Sequence, residues 1–268
     1  MFKTHKDALR MEPTPERVRT VCQYIANKST SRSDLLSAMS IFSDTTQGTI
    51  ESIRASVRVA EELGLLRTVD GLISFVGNPD DIRTYIGFRR FVASNVLSQK
   101  DTTFFKVTEW YLSKNDEVFK YDSWEDKAAA IVMDGVDDID ENDFLGWRFW
   151  ASFIGEGYLH DRLLIPNMKT RIQDVLAIRF AQSFSYGNEI SAMEFLLWIQ
   201  PHIQEAAIST GVLLPLGFSN GFRTLAELDI ISFRTLMDAT KVKLFAVEGE
   251  PNDFSHVTVK EAIAHELG

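Results

Sequence analysis

Apolar residues recur at helical spacing from Pro13 onward, with Val18, Val21, Cys22 and Ile25 on one side of a predicted helix. Thr14 stands at its cap and Pro15 at its first helical position. A polar turn, Asn27 to Ser31, leads to a second, short helix started by Ser31 or Ser33 and carrying Leu35, Leu36 and Met39. A third helix is predicted from about Thr46 to Leu63, with Ile50, Ile53, Val57 and Ala60 on one stripe. Gly64 ends it, because glycine takes the left-handed conformation of a helix C-cap without steric cost. Two apolar runs, Leu65 to Val69 and Leu72 to Val76, then flank Asp70-Gly71, a pair that marks a two-residue hairpin.

From Asn78 to about Gly187 the pattern is mostly helical and rich in aromatic residues. Ile82, Tyr85, Ile86, Phe88, Phe91 and Val92 form one group, Phe104, Phe105, Trp110 and Tyr111 a second, and Phe144, Trp147, Phe149, Trp150 and Phe153 a third. Large aromatics at this spacing are expected in a core; a base-stacking platform would need basic neighbours that are scarce here. The last third resumes the opening pattern. Ser191 to Gln200 is an apolar helix ending near Pro201, and Leu216 to Ile231 is another that runs toward strands. Ile231 to Leu236 and Val242 to Val247, joined by a turn at Asp238-Ala239, alternate as two antiparallel strands would, with His256 to Val259 as a third.

Three helices followed by a hairpin, with the third ending in Glu62-Leu63-Gly64-Leu65-Leu66, resemble the winged helix-turn-helix superfamily. Glu227-Leu228-Asp229-Ile230-Ile231 parallels that ending and predicts a second copy. The expected fold is thus mainly α with small β-wings, an α+β class. Winged-helix domains over residues 1–77 and 188–268 would flank a helical middle over 78–187. The resemblance implies a third helix in the DNA major groove and a wing on the backbone. A looser resemblance, carried by Ser219 to Leu225 and Phe254 to Val259, is to winged-helix accessory proteins of bacterial anti-phage cassettes. It implies a non-enzymatic subunit joining a motor ATPase or nuclease partner to DNA. In architecture alone the chain also resembles acidic tandem winged-helix subunits that bind linker proteins of chromosome-organising motors and dimerise.

Charge sharpens this picture. The chain carries a net −10, yet Met1 to Gly77 holds ten Lys and Arg against nine Asp and Glu, which leaves 18 against 29 for the remainder. A balance of +1 followed by −11 disfavours indiscriminate DNA coating and suits either solubility or docking to basic surfaces. One cysteine, Cys22, excludes an internal disulfide. No apolar run approaches the roughly 20 residues of a membrane span, and Met1 to Arg10 lack a signal-like apolar stretch, so a cytoplasmic setting without membrane insertion is expected.

Catalytic signatures are missing from the sequence. The five histidines, His5, His160, His202, His256 and His265, stand far apart, and one cysteine cannot complete a zinc set. Gly146 to Gly157 lacks the lysine ending of a phosphate loop, and His160-Asp161-Arg162 has the wrong order for a kinase catalytic loop. The acidic run Asp134, Asp137, Asp138, Asp140, Glu141 and Asp143 lacks calcium-loop spacing and is expected to be a solvated loop. No cofactor, metal or catalytic residue is therefore assigned.

The candidate contacts lie on the third helix and wing. Arg54 and Gln47 are suited to guanine and adenine edges, Thr45, Thr49 and Ser52 to phosphates, and Arg58 and Arg67 to further DNA contact. Arg17, Arg19, Lys28 and Arg32 are additional phosphate candidates. In the last third, Arg223 and Lys243 are the positions expected to meet a partner or phosphate. Two functions compete: an adaptor or DNA-binding subunit of a multi-protein assembly, and a stand-alone transcription regulator binding duplex DNA as a homodimer.

Overall fold

The computed structural model describes residues 13–39, 47–137, 139–161, 163–208 and 213–260, with the side chains of Gln47 and Gly48 excepted. The chain divides into two units, Met1–Val107 with Asp122–Ile154, and Thr108–Tyr121 with Gly155–Gly268. Expected boundaries after Gly77 and Gly187 thus fall inside units, and the segments read as a separate middle are shared between the two. The fold is mixed α and β, with helices dominant and small antiparallel sheets. Among the described residues no helix is long and apolar enough to cross a membrane.

The first unit begins with α1 (Pro15–Asn27), β1 (Thr30–Ser31), α2 (Arg32–Met39), α3 (Gln47–Glu62), β2 (Leu66–Val69) and β3 (Leu72–Phe75). Thr14 occupies the cap position of α1, but its side chain makes no capping bond. Ser31 does cap α2, accepting from the Asp34 amide at 3.2 Å. The turn read between the first two helices also hides β1, which pairs with β3 so that the sheet order is β1-β3-β2. Asp70 and Gly71 both take positive φ, 49° and 78°, as a tight two-residue hairpin with right-handed strand twist requires. Val18, Val21, Cys22 and Ile25 of α1 pack with Ile53, Val57 and Ala60 of α3 and with Ile73 of the central strand.

Further helices complete this core: α4 (Asp80–Arg83), α5 (Tyr85–Val96), the first turn of α6 (Thr103–Ser113), α7 (Trp124–Met133) and α8 (Glu141–Ile154). Phe88, Phe104, Phe144, Trp147 and Trp150 are wholly buried, as expected of core aromatics, whereas Tyr85 and Ile86 of the first group are exposed. Trp150 is amphipathic, and its Nε1 donates to the Pro13 carbonyl at 2.7 Å. Part of the acidic run has a structural role. Asp140 and Asp143 bond reciprocally to each other's main-chain amides at the start of α8, where carboxylates favour the helix dipole.

The second unit contains β4 (Gly157–His160), β5 (Leu163–Pro166), α9 (Lys169–Arg179), β6 (Glu189–Ser191), α10 (Ala192–Ile199), α11 (Leu216–Glu227), β7 (Ile231–Arg234), β8 (Val242–Lys243), β9 (Asp253–Phe254) and β10 (His256–Val259). Two 3₁₀ turns, Gln200–His202 and Gln204–Ala206, follow α10. The expected hairpin between 231–236 and 242–247 is not formed. Instead β7 pairs with β10, β8 pairs with β9, and the three-stranded sheet runs β6-β10-β7. Pairing with β10 lets Val257 and Val259 join the phenylalanine core, where Phe222 lies 4.9 Å from Phe254 and 5.3 Å from Phe233.

With the β8–β9 ladder and the 3₁₀ turns set aside, the order from α9 onward repeats that of α1 to β3: helix, strand, helix, helix, strand, then a final strand in the centre of the sheet. Details repeat too. Ser191 caps α10 through the Glu194 amide at 3.2 Å as Ser31 caps α2. At the end of α3, Gly64 (φ 72°) lets the Leu65 amide reach the Ala60 carbonyl at 2.9 Å. At the end of α11, Asp229 (φ 60°) does the same for the Ile230 amide and the Leu225 carbonyl, also at 2.9 Å.

One close approach fixes α11. A Cβ on Gly221 would stand 2.5 Å from the Lys169 amide nitrogen and 2.6 Å from the Met168 carbonyl carbon. Alanine gains about 1 kcal/mol over glycine in a helix, but overpacking against a rigid main chain costs about 1–3 kcal/mol. Gly221→Ala is accordingly expected to lower the urea midpoint of unfolding without changing the slope; a raised midpoint would contradict the contact.

Candidate nucleic-acid interface

The apolar stripe of α3 fixes which of its residues face outward. With Ile53, Val57 and Ala60 buried, Glu51, Arg54 and Arg58 are left exposed, the two arginines one turn apart on one face. Arg54 pairs with Glu51 at 2.8 Å, both side chains being about half exposed. Such a surface pair contributes well under about 1 kcal/mol, so a phosphate can displace the glutamate. Thr49 and Ser52 lie half-buried on the flank. Gln47 starts the helix; its side chain, together with Thr45 and Thr46, lies outside the described residues.

Arg67 is exposed on β2 and sits opposite Ser74 in the hairpin. The tip beyond it is aliphatic. Val69 and Leu72 face each other there and are 56% and 47% exposed, a feature the sequence reading did not single out. Arg17, Lys28 and Arg32 are exposed. Arg19 is not free for phosphate: its Nε donates to the Ile82 carbonyl at 3.0 Å and a terminal nitrogen to the Arg83 carbonyl at 2.8 Å. Those are carbonyls at the end of α4, which an arginine satisfies well.

The corresponding helix of the second unit is closed. The β7–β10 connection is far longer than Asp70-Gly71, and it folds over α11. The Phe245 amide donates to Ser219 Oγ at 2.8 Å, and Arg223 donates to the carbonyls of Phe245 at 2.8 Å and Pro251 at 2.9 Å. Arg223, expected at the surface, is instead 6% exposed, and burial holds its guanidinium below the usual arginine range, with Glu250 opposing. Lys243 is exposed on β8. On the other side Gly217 and Gly221 press against Pro166 and Met168. An α-helix wrapped on both sides cannot enter a groove about 12 Å wide.

Comparison with known proteins gives no match: no family model, curated protein or solved structure is significantly similar to this chain. Its chemistry is therefore judged on its own residues. Cys22 is wholly buried and burial pushes its thiol up to about 12, which suppresses the nucleophilic thiolate. His202 stacks edge-on with Trp198 at 5.6 Å, and His256 Nδ1 lies 2.9 Å from the buried Ser255 hydroxyl, which also accepts from the Leu236 amide. Among the described residues no group of three or more His, Cys, Asp or Glu could hold a metal ion. His5 and His265 lie outside the described residues, as do Asp138 and Arg162.

Two basic residues of the second unit, Arg223 on α11 and Lys243 on β8, should respond differently to truncation. Arg223→Ala removes a buried guanidinium and its bonds to the Phe245 and Pro251 carbonyls and is expected to cost about 2–4 kcal/mol in urea unfolding. Lys243→Ala, at an exposed position, should stay within about 0.5 kcal/mol. Equal effects would mean that the connection does not hold to α11 through Arg223.

Proposed function

We propose that the chain is a tandem winged-helix adaptor without enzymatic activity, whose first unit contacts duplex DNA through Arg54, Arg58 and Arg67 and whose second docks a protein partner. The observation that carries this reading is the repeated helix–strand–helix–helix–strand–strand order, with its third helix open in one unit and covered in the other. A covered third helix argues against DNA reading by the second unit and leaves protein contact as its role. Exposed Leu236 and Met237, beyond β7, supply apolar surface for that purpose. The resemblance of Ser219 to Leu225 and Phe254 to Val259 favours a motor ATPase or nuclease of a bacterial anti-phage assembly as the partner.

Charge favours modest DNA affinity assisted by the partner, since only the first 77 residues approach neutrality. A stand-alone regulator draws on the same open α3, but it would have to place two such helices on a palindrome through dimerisation.

Titration of a mixed-sequence duplex at several salt concentrations tests the reading. The Arg54→Ala, Arg58→Ala double variant should bind about tenfold or more weakly, with the salt slope reduced by about two. Unchanged affinity would remove the role of α3. A symmetric footprint on a palindrome would favour the regulator.

A further inference from the structure

Gly155 and Glu156 lead into β4. Gly155 has φ 95°, and a Cβ there would meet the Arg171 amide nitrogen at 2.6 Å, so the main chain passes directly against the first turns of α9. That approach buries the next side chain completely. Glu156 is 0% exposed, and neither of its carboxylate oxygens has a hydrogen-bond partner among the described residues. Its nearest cation, Arg171, is 3.7 Å away and engaged elsewhere. Arg171 Nε donates to Glu205 Oε1 at 2.8 Å, and a terminal nitrogen donates to the His202 carbonyl at 2.6 Å. Glu205, in the turn Gln204–Ala206, is 1% exposed.

One guanidinium therefore serves two buried carboxylates. Asp174, a turn further along α9 and also buried, adds acid rather than base to the surroundings. His202 brings no compensating charge: burial, Arg179 and Arg171 hold its imidazole below its ordinary range. Two neighbouring carboxylates in a low-dielectric interior do not both ionise when a single cation is present.

We propose that Glu156, Arg171 and Glu205 form a one-proton latch: Arg171 is committed to Glu205, Glu156 stays buried by holding a proton, and loss of that proton as pH rises frees the Gln200–Ala206 segment from α9. Burial, then Glu205, lift the Glu156 carboxyl well above the usual carboxylate range, with Arg171 opposing in part. The closed form thus binds a proton that the open form has already released. Closure is fully favoured below the ordinary carboxylate range and weakens as pH climbs toward the raised value.

Amide hydrogen exchange of residues 200–206, divided by the intrinsic exchange rate and followed from about pH 6 to 9, reads the opening equilibrium directly. In the natural chain opening should grow with pH, by up to about tenfold per unit, until the raised value of Glu156 is passed, and level off above it. Glu156→Gln keeps the shape and a hydrogen-bond donor without the titrating proton, and its opening should be flat with pH. Glu205→Gln, which leaves Arg171 to Glu156 alone, should make the rise level off at lower pH and serves if the first variant does not fold. A natural chain whose opening is independent of pH, or Gln variants whose profiles equal that of the natural chain, overturns the latch.

Discussion

Each unit depends on one left-handed residue at the end of its third helix. Without positive φ at Gly64 or Asp229, the following amide could not reach back to the carbonyl five residues earlier, and the helix would not be closed off at that point. The turn delivers the chain into an outer strand, which leaves the centre of the sheet for the last strand. Burial of Ile73 in one unit and Val257 in the other then locks the register, because a slip by one residue would turn those side chains to the opposite face. Asp229 pays a conformational cost that Gly64 does not, and its carboxylate is paired with Lys260 just beyond the last strand.

From this common frame the units part at a single connection. Two residues join the outer and central strands in the first unit, and the helix beside them keeps an open side. In the second, the segment between Arg234 and His256 builds a small ladder of its own and supplies carbonyls to Arg223 and an amide to Ser219. Hydrogen bonds to a buried guanidinium are among the stronger ones in proteins, so this cover is part of the unit's stability and not a loose flap.

Much of the first unit was legible because its signals are local. The stripe of Ile53, Val57 and Ala60, the cap at Gly64 and the turn at Asp70-Gly71 each act within a few residues. Thr30-Ser31 was missed because a two-residue strand has no period to detect; only its partner, β3, makes it a strand. The β4–β5 hairpin was absorbed into a helical expectation because Leu163-Leu164-Ile165 is an unbroken apolar run with no period of two, although burial alternates along both strands. The pairing of β7 was misjudged because Val242 to Val247 alternates as well as His256 to Val259 does. Val242, Leu244, Val257 and Val259 all reach the same core, so burial does not choose between them either, and the pairing is settled by contacts distant in sequence. Arg19 and Arg223 show the same limit for function, since an arginine that holds carbonyls and one that waits for phosphate are identical letters.

Arg58 and Arg223 each stand four residues before the last residue of their helix, one exposed and one enclosed. Genetic drift would therefore meet them in different currencies. A change at Arg58 alters what the molecule touches while every copy still folds. A change at Arg223 alters how many copies are folded at all, and would be felt as lowered abundance even by a partner whose contact surface is untouched.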